Sequence, residues 1–407
     1  MRHSISKSVL ILLLPLMTSF FLSCSSDDES VDKVVQVTDT ETLSKRLEQI
    51  LDESDFPGFT VGIAKNGNPS FQQSYGYKDI SSNSLYDNQT LQPIGSISKT
   101  FIGVATVKAI ELGLFTLETP INDILDQPIV NPKNNTVDIK VKHLVSHTSG
   151  LVDTEEAYVT SYYILPNENV NTTGGQLLVN EGIIQRQSKS LKEFIEAYYY
   201  ESGDYYSADN FSNNAPGTNE QYSNIASSLM AYLIEKASSI SYREFVQENI
   251  FKPLKMFNTT FSYQEPLNHF ATLYRDVNTP LPFYDLESYP DGSVKISNQD
   301  MMKYIMNMIK GRRGESTTLF SKASYELLFS EVIPSSSHTI FWDLENNGDL
   351  GHDGGDYGLT TELSFNGSHN SGFFILTNYD TSDDAHERYY AETAIKIKKA
   401  IISYINL

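Results

Sequence analysis

The chain has 407 residues, 40% hydrophobic and 20% charged, with a formal net charge of −21 and a single cysteine, Cys24. This is the composition of a globular protein large enough to bury a core without covalent staples, and one cysteine excludes a disulfide within the chain. So acidic a surface repels nucleic acid and anionic membrane surfaces, so no nucleic-acid partner is expected.

In chain order, Arg2, His3 and Lys7 come first, followed by an apolar stretch from Val9 to Leu22. A short cationic start and an apolar run of this length make a secretory signal, too short and one-sided for a spanning helix. The run ends Phe21-Leu22-Ser23-Cys24 and passes into Ser25-Ser26-Asp27-Asp28-Glu29. That resembles a bacterial lipoprotein signal over residues 1–23, cleaved before Cys24, which then carries acyl chains; Phe21 stands where leucine is usual. The resemblance implies a lipid-anchored protein of the cell envelope. Residues 24–40 are polar and acidic and read as a flexible tether.

Residues 41–407 read as one domain. Leu43, Leu47, Ile50 and Leu51 have helical spacing. Phe59 to Ala64 and Ser70 to Tyr77 flank the turn Asn66-Gly67-Asn68, which predicts an antiparallel hairpin. Ile97 to Leu112 is apolar on nearly all sides, the pattern of a buried helix, with Gly113 as its stop. Helical segments continue to about Lys255. Thr361 to Phe365 and Gly372 to Leu376 flank a polar turn and predict a second hairpin, and a helix runs from Arg388 to Ile405. Strands at both ends and helices between predict an α/β fold of the α+β type. Its antiparallel sheet is built from the two chain ends and flanked by helices, with a mostly helical region, about 95–260, inserted.

Three short motifs could carry chemistry. Ser96-Ile97-Ser98-Lys99 opens the buried helix, so its serine and lysine lie one turn apart on one face. A serine hydroxyl needs a base to become a nucleophile, and burial is what turns a lysine into one. S-x-x-K also occurs at Ser4 to Lys7 and Ser30 to Lys33, and alone it equally describes a capping serine with a solvated lysine. Tyr222-Ser223-Asn224 precedes an apolar helix; Y-x-N recurs at Tyr86 and Tyr404. Its phenol could relay protons and its amide could orient a carbonyl. Gly351-His352-Asp353-Gly354-Gly355 reads as a glycine-rich turn leading into a strand, where an exposed N–H could stabilise an oxyanion.

In this order and spacing, the three motifs resemble the serine β-lactamase and penicillin-binding superfamily, closest to class C β-lactamases, D-Ala-D-Ala carboxypeptidases and related esterases. Pro57-Gly58-Phe59-Thr60-Val61-Gly62, Leu144-Val145-Ser146-His147-Thr148-Ser149-Gly150-Leu151 and Ile250-Phe251-Lys252-Pro253-Leu254 look like segments of the same family. The resemblance implies a serine hydrolase acylated at Ser96, with Lys99 and Tyr222 sharing the proton transfers. Asn224 would hold a substrate amide, and the N–H groups of Ser96 and Gly355 would form the oxyanion hole. It calls for no cofactor and no metal. Where class C enzymes have Lys-Thr-Gly, this chain has His352-Asp353-Gly354, so a fixed ammonium becomes a mostly neutral imidazole followed by an anion. That favours a neutral or cationic small-molecule or peptidoglycan-derived ester or amide over a β-lactam carboxylate. The alternatives are a D-Ala-D-Ala carboxypeptidase, a true β-lactamase, and a lipoprotein that only binds ligand.

Two further features weigh less. His143 and His147 have the i, i+4 spacing of a metal pair but read as structural. Tyr158, Tyr162, Tyr163, Tyr198, Tyr199, Tyr200, Tyr205 and Tyr206 crowd one segment and read as packing before they read as a substrate wall.

Overall fold

The computed structural model describes residues 34–334, 336–366, 370–379 and 384–407, with the side chains of 384–391 outside that description. The expected signal, the lipid-bearing Cys24 and most of the tether lie outside the described residues. Among the described residues no helix is long and apolar enough to cross a membrane.

Helix α1 (Thr40–Asp52) begins at Asp39, whose carboxylate accepts from the Thr42 N–H while the Thr42 hydroxyl accepts from the Asp39 N–H. Such reciprocal caps satisfy two of the donors that a helix start leaves open. The predicted first hairpin forms as β1 (Gly58–Lys65) and β2 (Asn68–Asp79), extended by a short β3 (Ser84–Leu85). From the other end come β4 (Asp343–Leu344), β5 (Asp349–Asp356), β6 (Leu359–Asn366) and β7 (Ser371–Thr377). These seven make one antiparallel sheet in the order β4-β5-β6-β7-β1-β2-β3. The seam between the two chain ends is the β1–β7 pair, with Phe59 opposite Thr377 and Ala64 opposite Gly372.

Side chains of β7 alternate between two cores, as the pleat requires. Phe373 and Ile375 pack with Leu43, Leu47 and Ile50 of α1 and with Ile397 and Ile401 of the C-terminal helix. Phe374 and Leu376 point the other way, into the larger core. There they meet α2 (Ser98–Glu111), α3 (Asn224–Ser238) and α4 (Asn298–Arg312). The last helix, α5, spans Asp384–Ile405. Eleven residues of α2 are buried, from Ser98 to Ala109, so the helix without a polar face is indeed enclosed on all sides.

The inserted, mostly helical region also holds a short strand, Tyr162–Ile164, paired with Tyr284–Leu286. One detail departs from expectation. The glycine-rich stretch 351–355 is not a turn before a strand but the middle of β5, fully paired with β6. Glycine is a weak strand former, and continuous pairing with β6 overrides that preference here.

Candidate active site

Ser96 stands in a single 3-10 turn, Gly95–Ile97, that feeds α2. Lys99 is on the first turn of α2 and fully buried. Its Nζ donates to Ser96 Oγ at 3.1 Å and to the Asp291 carbonyl at 2.9 Å. The ring of Tyr222 lies 5.0 Å from the same Nζ. The three side chains thus surround one ammonium position, and Ser96 itself is only half-buried, open to an incoming molecule.

Tyr222 reaches Lys99 because the start of α3 is fixed. Ser223 is the helix cap, with its Oγ accepting from the Ala226 N–H. The Asp153 carboxylate sits over the same end, accepting from Ser223 Oγ at 2.7 Å, Asn224 N at 2.6 Å and Ile225 N at 3.1 Å. An anion at a helix N-terminus meets both open N–H groups and the dipole. Asp153 is braced in turn by the buried Tyr198, whose hydroxyl donates to the Val152 carbonyl and accepts from the Thr154 N–H. One member of the tyrosine cluster therefore acts through packing, as read from the sequence, yet it supports the site. Asn224 is half-buried, and its side-chain amide takes no part in this capping.

His147 completes the support. It holds a left-handed backbone, φ 52°, which lets its carbonyl accept from Gln221 N at 2.7 Å while its Nδ1 accepts from Ser223 N at 3.3 Å. Its ring stacks on Tyr222, with centroids 4.5 Å apart. Burial, with His338, Lys99 and His352 nearby, holds its imidazole well below the ordinary range, so the ring is neutral. His143 is elsewhere: its Nδ1 accepts from the Lys140 N–H at the start of a short helix. The two histidines thus serve separate backbone contacts. Among the described residues no cluster of His, Cys, Asp and Glu is arranged to hold a metal.

The glycines of β5 bring a second backbone up to Ser96. A Cβ on Gly354 would stand 2.3 Å from the Ile94 carbonyl and 3.2 Å from the Ser96 nitrogen. Gly95, at φ 54°, faces the Gly355 nitrogen at 3.1 Å from where its own Cβ would be. Only glycine tolerates both the left-handed backbone and the approach. Thr361 on β6 ties the two strands together: its hydroxyl bonds the Ile94 carbonyl at 2.8 Å and lies 3.3 Å from the Gly354 carbonyl. The backbone nitrogens of Ser96 and Gly355 are thereby brought to one corner of the site.

His352 and Asp353 part company. His352 shares the face of Gly354; its Nδ1–H donates to the Asp353 carbonyl at 2.6 Å, and its Nε2 is buried without a partner. Burial pushes its imidazole down to about 4, so it is neutral near pH 7. Asp353 alternates to the opposite face of the sheet, directly across from Glu362, which pairs with Lys398 of α5. Burial and the Glu362 charge push its carboxyl up to about 6. The anion that the sequence places beside the substrate therefore faces away from Ser96, because a strand sends successive side chains to opposite faces.

The sequence reading missed Asp153, Thr361 and Asp291, and named Tyr198 only within the tyrosine cluster. Asp291 is wholly buried; Ser228 Oγ donates to its Oδ2 at 3.1 Å, and its Oδ1 has no partner. Burial pushes this carboxyl up to about 7, against the pull of Lys99. Tyr158 and Tyr162 lie on the same side, their phenols raised well above the ordinary range by burial and by nearby carboxylates, Asp291 and Asp356 respectively.

The chain is similar to known proteins. A family model described as Beta-lactamase matches residues 43–395. The chain is 24% identical to a beta-lactamase of Yersinia enterocolitica over 277 residues, covering 67% of this chain and 60% of that protein. It is 25% identical to penicillin-binding protein 4* of Bacillus subtilis over 379 residues, covering 86% of this chain and 74% of that one. Several curated relatives are longer: the chain spans 55% of the mouse mitochondrial serine beta-lactamase-like protein LACTB, at 24% identity over 65% of its own length. Among solved structures, the octameric penicillin-binding protein homologue from Pyrococcus abyssi shares the fold, with a TM-score of 0.67 and 21% identity over 88% of this chain and 77% of that one. The penicillin-binding protein from Bacillus halodurans does so with a TM-score of 0.63 and 18% identity, over 86% of this chain and 98% of that one. The matched span holds the serine–lysine helix, the tyrosine turn and the glycine strand together, and the chain belongs to the Beta-lactamase family.

Proposed function

We propose that the chain is a serine hydrolase that forms an acyl-enzyme at Ser96 and hydrolyses an ester or amide bond. The observation that carries this reading is the buried Lys99 amine, 3.1 Å from the Ser96 hydroxyl with the Tyr222 ring over it. Lys99 and Tyr222 share the removal of the Ser96 proton as Oγ attacks the carbonyl carbon. The oxyanion is taken by the N–H groups of Ser96 and Gly355. The tetrahedral adduct collapses, its alcohol or amine leaves with a proton, and water repeats the attack on the ester. Asn224 holds the amide of the bound substrate. No step uses a cofactor or a metal.

The neutral His352 leaves this side of the pocket without a fixed cation, which supports a neutral or cationic substrate, small or derived from peptidoglycan. A D-Ala-D-Ala carboxypeptidase is the second reading, favoured by the extent of the match to penicillin-binding protein 4*. The Yersinia relative keeps a β-lactamase in view. The reading also includes a lipid anchor on Cys24 and a place in the bacterial cell envelope, supported by the cationic start and the apolar run before Leu22-Ser23-Cys24. Radiolabelled palmitate incorporation that survives Cys24→Ala would remove the anchor from the proposal.

The test is labelling of the full chain with a fluorophosphonate and with fluorescent penicillin, with Ser96→Ala as control. A Ser96-dependent adduct supports the reading, and no such adduct with either probe leaves a ligand-binding lipoprotein. Turnover of p-nitrophenyl esters, D-amino-acid peptides and a cephalosporin, measured side by side, separates esterase, peptidase and β-lactamase.

A further inference from the structure

Behind Tyr222 lies a group that the chemistry above does not use. His338 is 7% exposed, and both of its ring nitrogens meet carboxylates. Nδ1 is 3.2 Å from Glu220 Oε1, and Nε2 is 3.0 Å from Asp343 Oδ1. Ser337 Oγ also lies 3.3 Å from Nδ1. Acceptors from two different segments thus flank the two ring nitrogens, which fixes the orientation of the ring. The two carboxyls are built to stay ionised. Burial pushes each upward, but Ser337 bonds to Glu220, and His338 bonds to Asp343, leave both below the usual carboxylate range.

The clamp joins the two segments that matter. Glu220 is two residues before Tyr222, and Asp343 pairs with Gly351, the residue before His352. From His338 a column of rings leads to the nucleophile. The His338 ring meets the His147 ring edge-on at 4.8 Å, and His147 stacks on Tyr222 at 4.5 Å. Tyr222 lies under Lys99 Nζ, which donates to Ser96.

We infer that His338, held between Glu220 and Asp343, is a positioning residue that fixes Tyr222 over Lys99 through His147. The inference rests on the serine-hydrolase reading. The charged and polar groups facing His338 are Glu220 on the segment before α3, Asp343 on β4, His352 on β5, His147 after the short helix Val141–Val145, Tyr222, and Lys99 on α2. When either carboxylate contact is removed, the ring loses one of its two anchors. The column then loosens, so acylation of Ser96 slows.

The test uses the full chain and two readouts. The first is the rate of Ser96 labelling by a fluorophosphonate over a range of probe concentrations, in the parent, in His338→Gln and in Asp343→Asn. Misplacing a proton-transfer group by an ångström costs on the order of 100-fold, so both variants should slow the limiting labelling rate by about that factor, with probe affinity and thermal melting retained. The second is NMR of the full chain with labelled tyrosine rings, where the Tyr222 signal, assigned by its loss in Tyr222→Phe, should shift in both variants. Parent-like limiting rates in both variants, or an unmoved Tyr222 signal, overturns the inference. If one variant fails to fold, the other carries the kinetic arm. If the parent shows no Ser96-dependent adduct, the hydrolase reading falls, and the NMR result still decides the clamp.

Discussion

Gly354 on β5 and Ser96 in the turn before α2 lie far apart in the chain, yet a Cβ on Gly354 would come within 3.2 Å of the Ser96 nitrogen and 2.3 Å of the Ile94 carbonyl before it. Gly354→Ala must therefore push β5 away from the Ser96 turn. Removing one oxyanion donor costs roughly 100- to 1,000-fold in rate. Ser96 labelling is expected to fall by that much, while far-UV circular dichroism stays that of the parent. Parent-like labelling would show that the Gly355 N–H plays no part.

Thr361 tests the same corner without steric change. Thr361→Val keeps the shape and removes the hydroxyl that bonds the Ile94 and Gly354 carbonyls. The expected loss of stability is about 1 kcal/mol, plus the cost of leaving a buried carbonyl unpaired. Urea unfolding checks the stability, and labelling should fall well beyond what the lost stability explains.

Asp153 caps the helix that follows Tyr222. Asp153→Ala opens three donors at once, and loss of such a cap costs about 0.5–2 kcal/mol. The Tyr222 turn then loses its anchor. Labelling should drop in Asp153→Ala and recover in part in Asp153→Asn, which keeps an accepting oxygen.

Acid should destabilise the fold through its neutral histidines. Burial holds His352 at about 4 against an ordinary 6.5, and holds His143 at about 4 as well. Between those values the unfolded chain binds more protons than the folded one, so stability is complete above 6.5 and is lost as pH falls toward 4. The urea midpoint should decline over that window, less steeply in His352→Gln.

Asp291 acts with the opposite sign. Its folded carboxyl titrates at about 7 against an ordinary 3.8, so the folded chain binds the extra proton between them. Parent stability falls as pH rises through that window. Asp291→Asn keeps the backbone carbonyl that receives Lys99 and should gain stability over the parent from about pH 4 to 7, then hold that gain. An equal difference at acid and neutral pH would contradict it.

Ser96 and Lys99 were legible as a pair because they are local to one helix, whose all-round apolarity announces burial. Both hairpins were legible through alternation and turns. What supports the site was not, because its contacts are long-range: Asp153 caps a helix 71 residues on, and Thr361 bonds a carbonyl 267 residues back. Nothing in the local pattern around either residue marks such a partner. Asp353 was misplaced for a different reason. Reading His352-Asp353-Gly354 as a unit hides the two-residue period of the strand it forms, and that period sends the aspartate to the far side. The buried Tyr198 hydroxyl, bonded to the backbone on either side of Asp153, likewise shows why a run of tyrosines says little until its hydroxyl partners are known.

The seam between β1 and β7 has a consequence for biosynthesis. A nascent chain emerging from the ribosome carries the first hairpin and the Ser96 helix long before the strand that must lie beside them. Until residues 371–377 arrive, Phe59, Val61 and Ile63 have no neighbour on that side, and Gly354 and Gly355, which crowd Ser96, emerge only shortly before them. Contacts of such sequence separation form slowly and leave apolar edges open meanwhile. The corner around Ser96 is thus completed late, so that a chain terminated before residue 354 would hold Ser96 and Lys99 without the strand that crowds them.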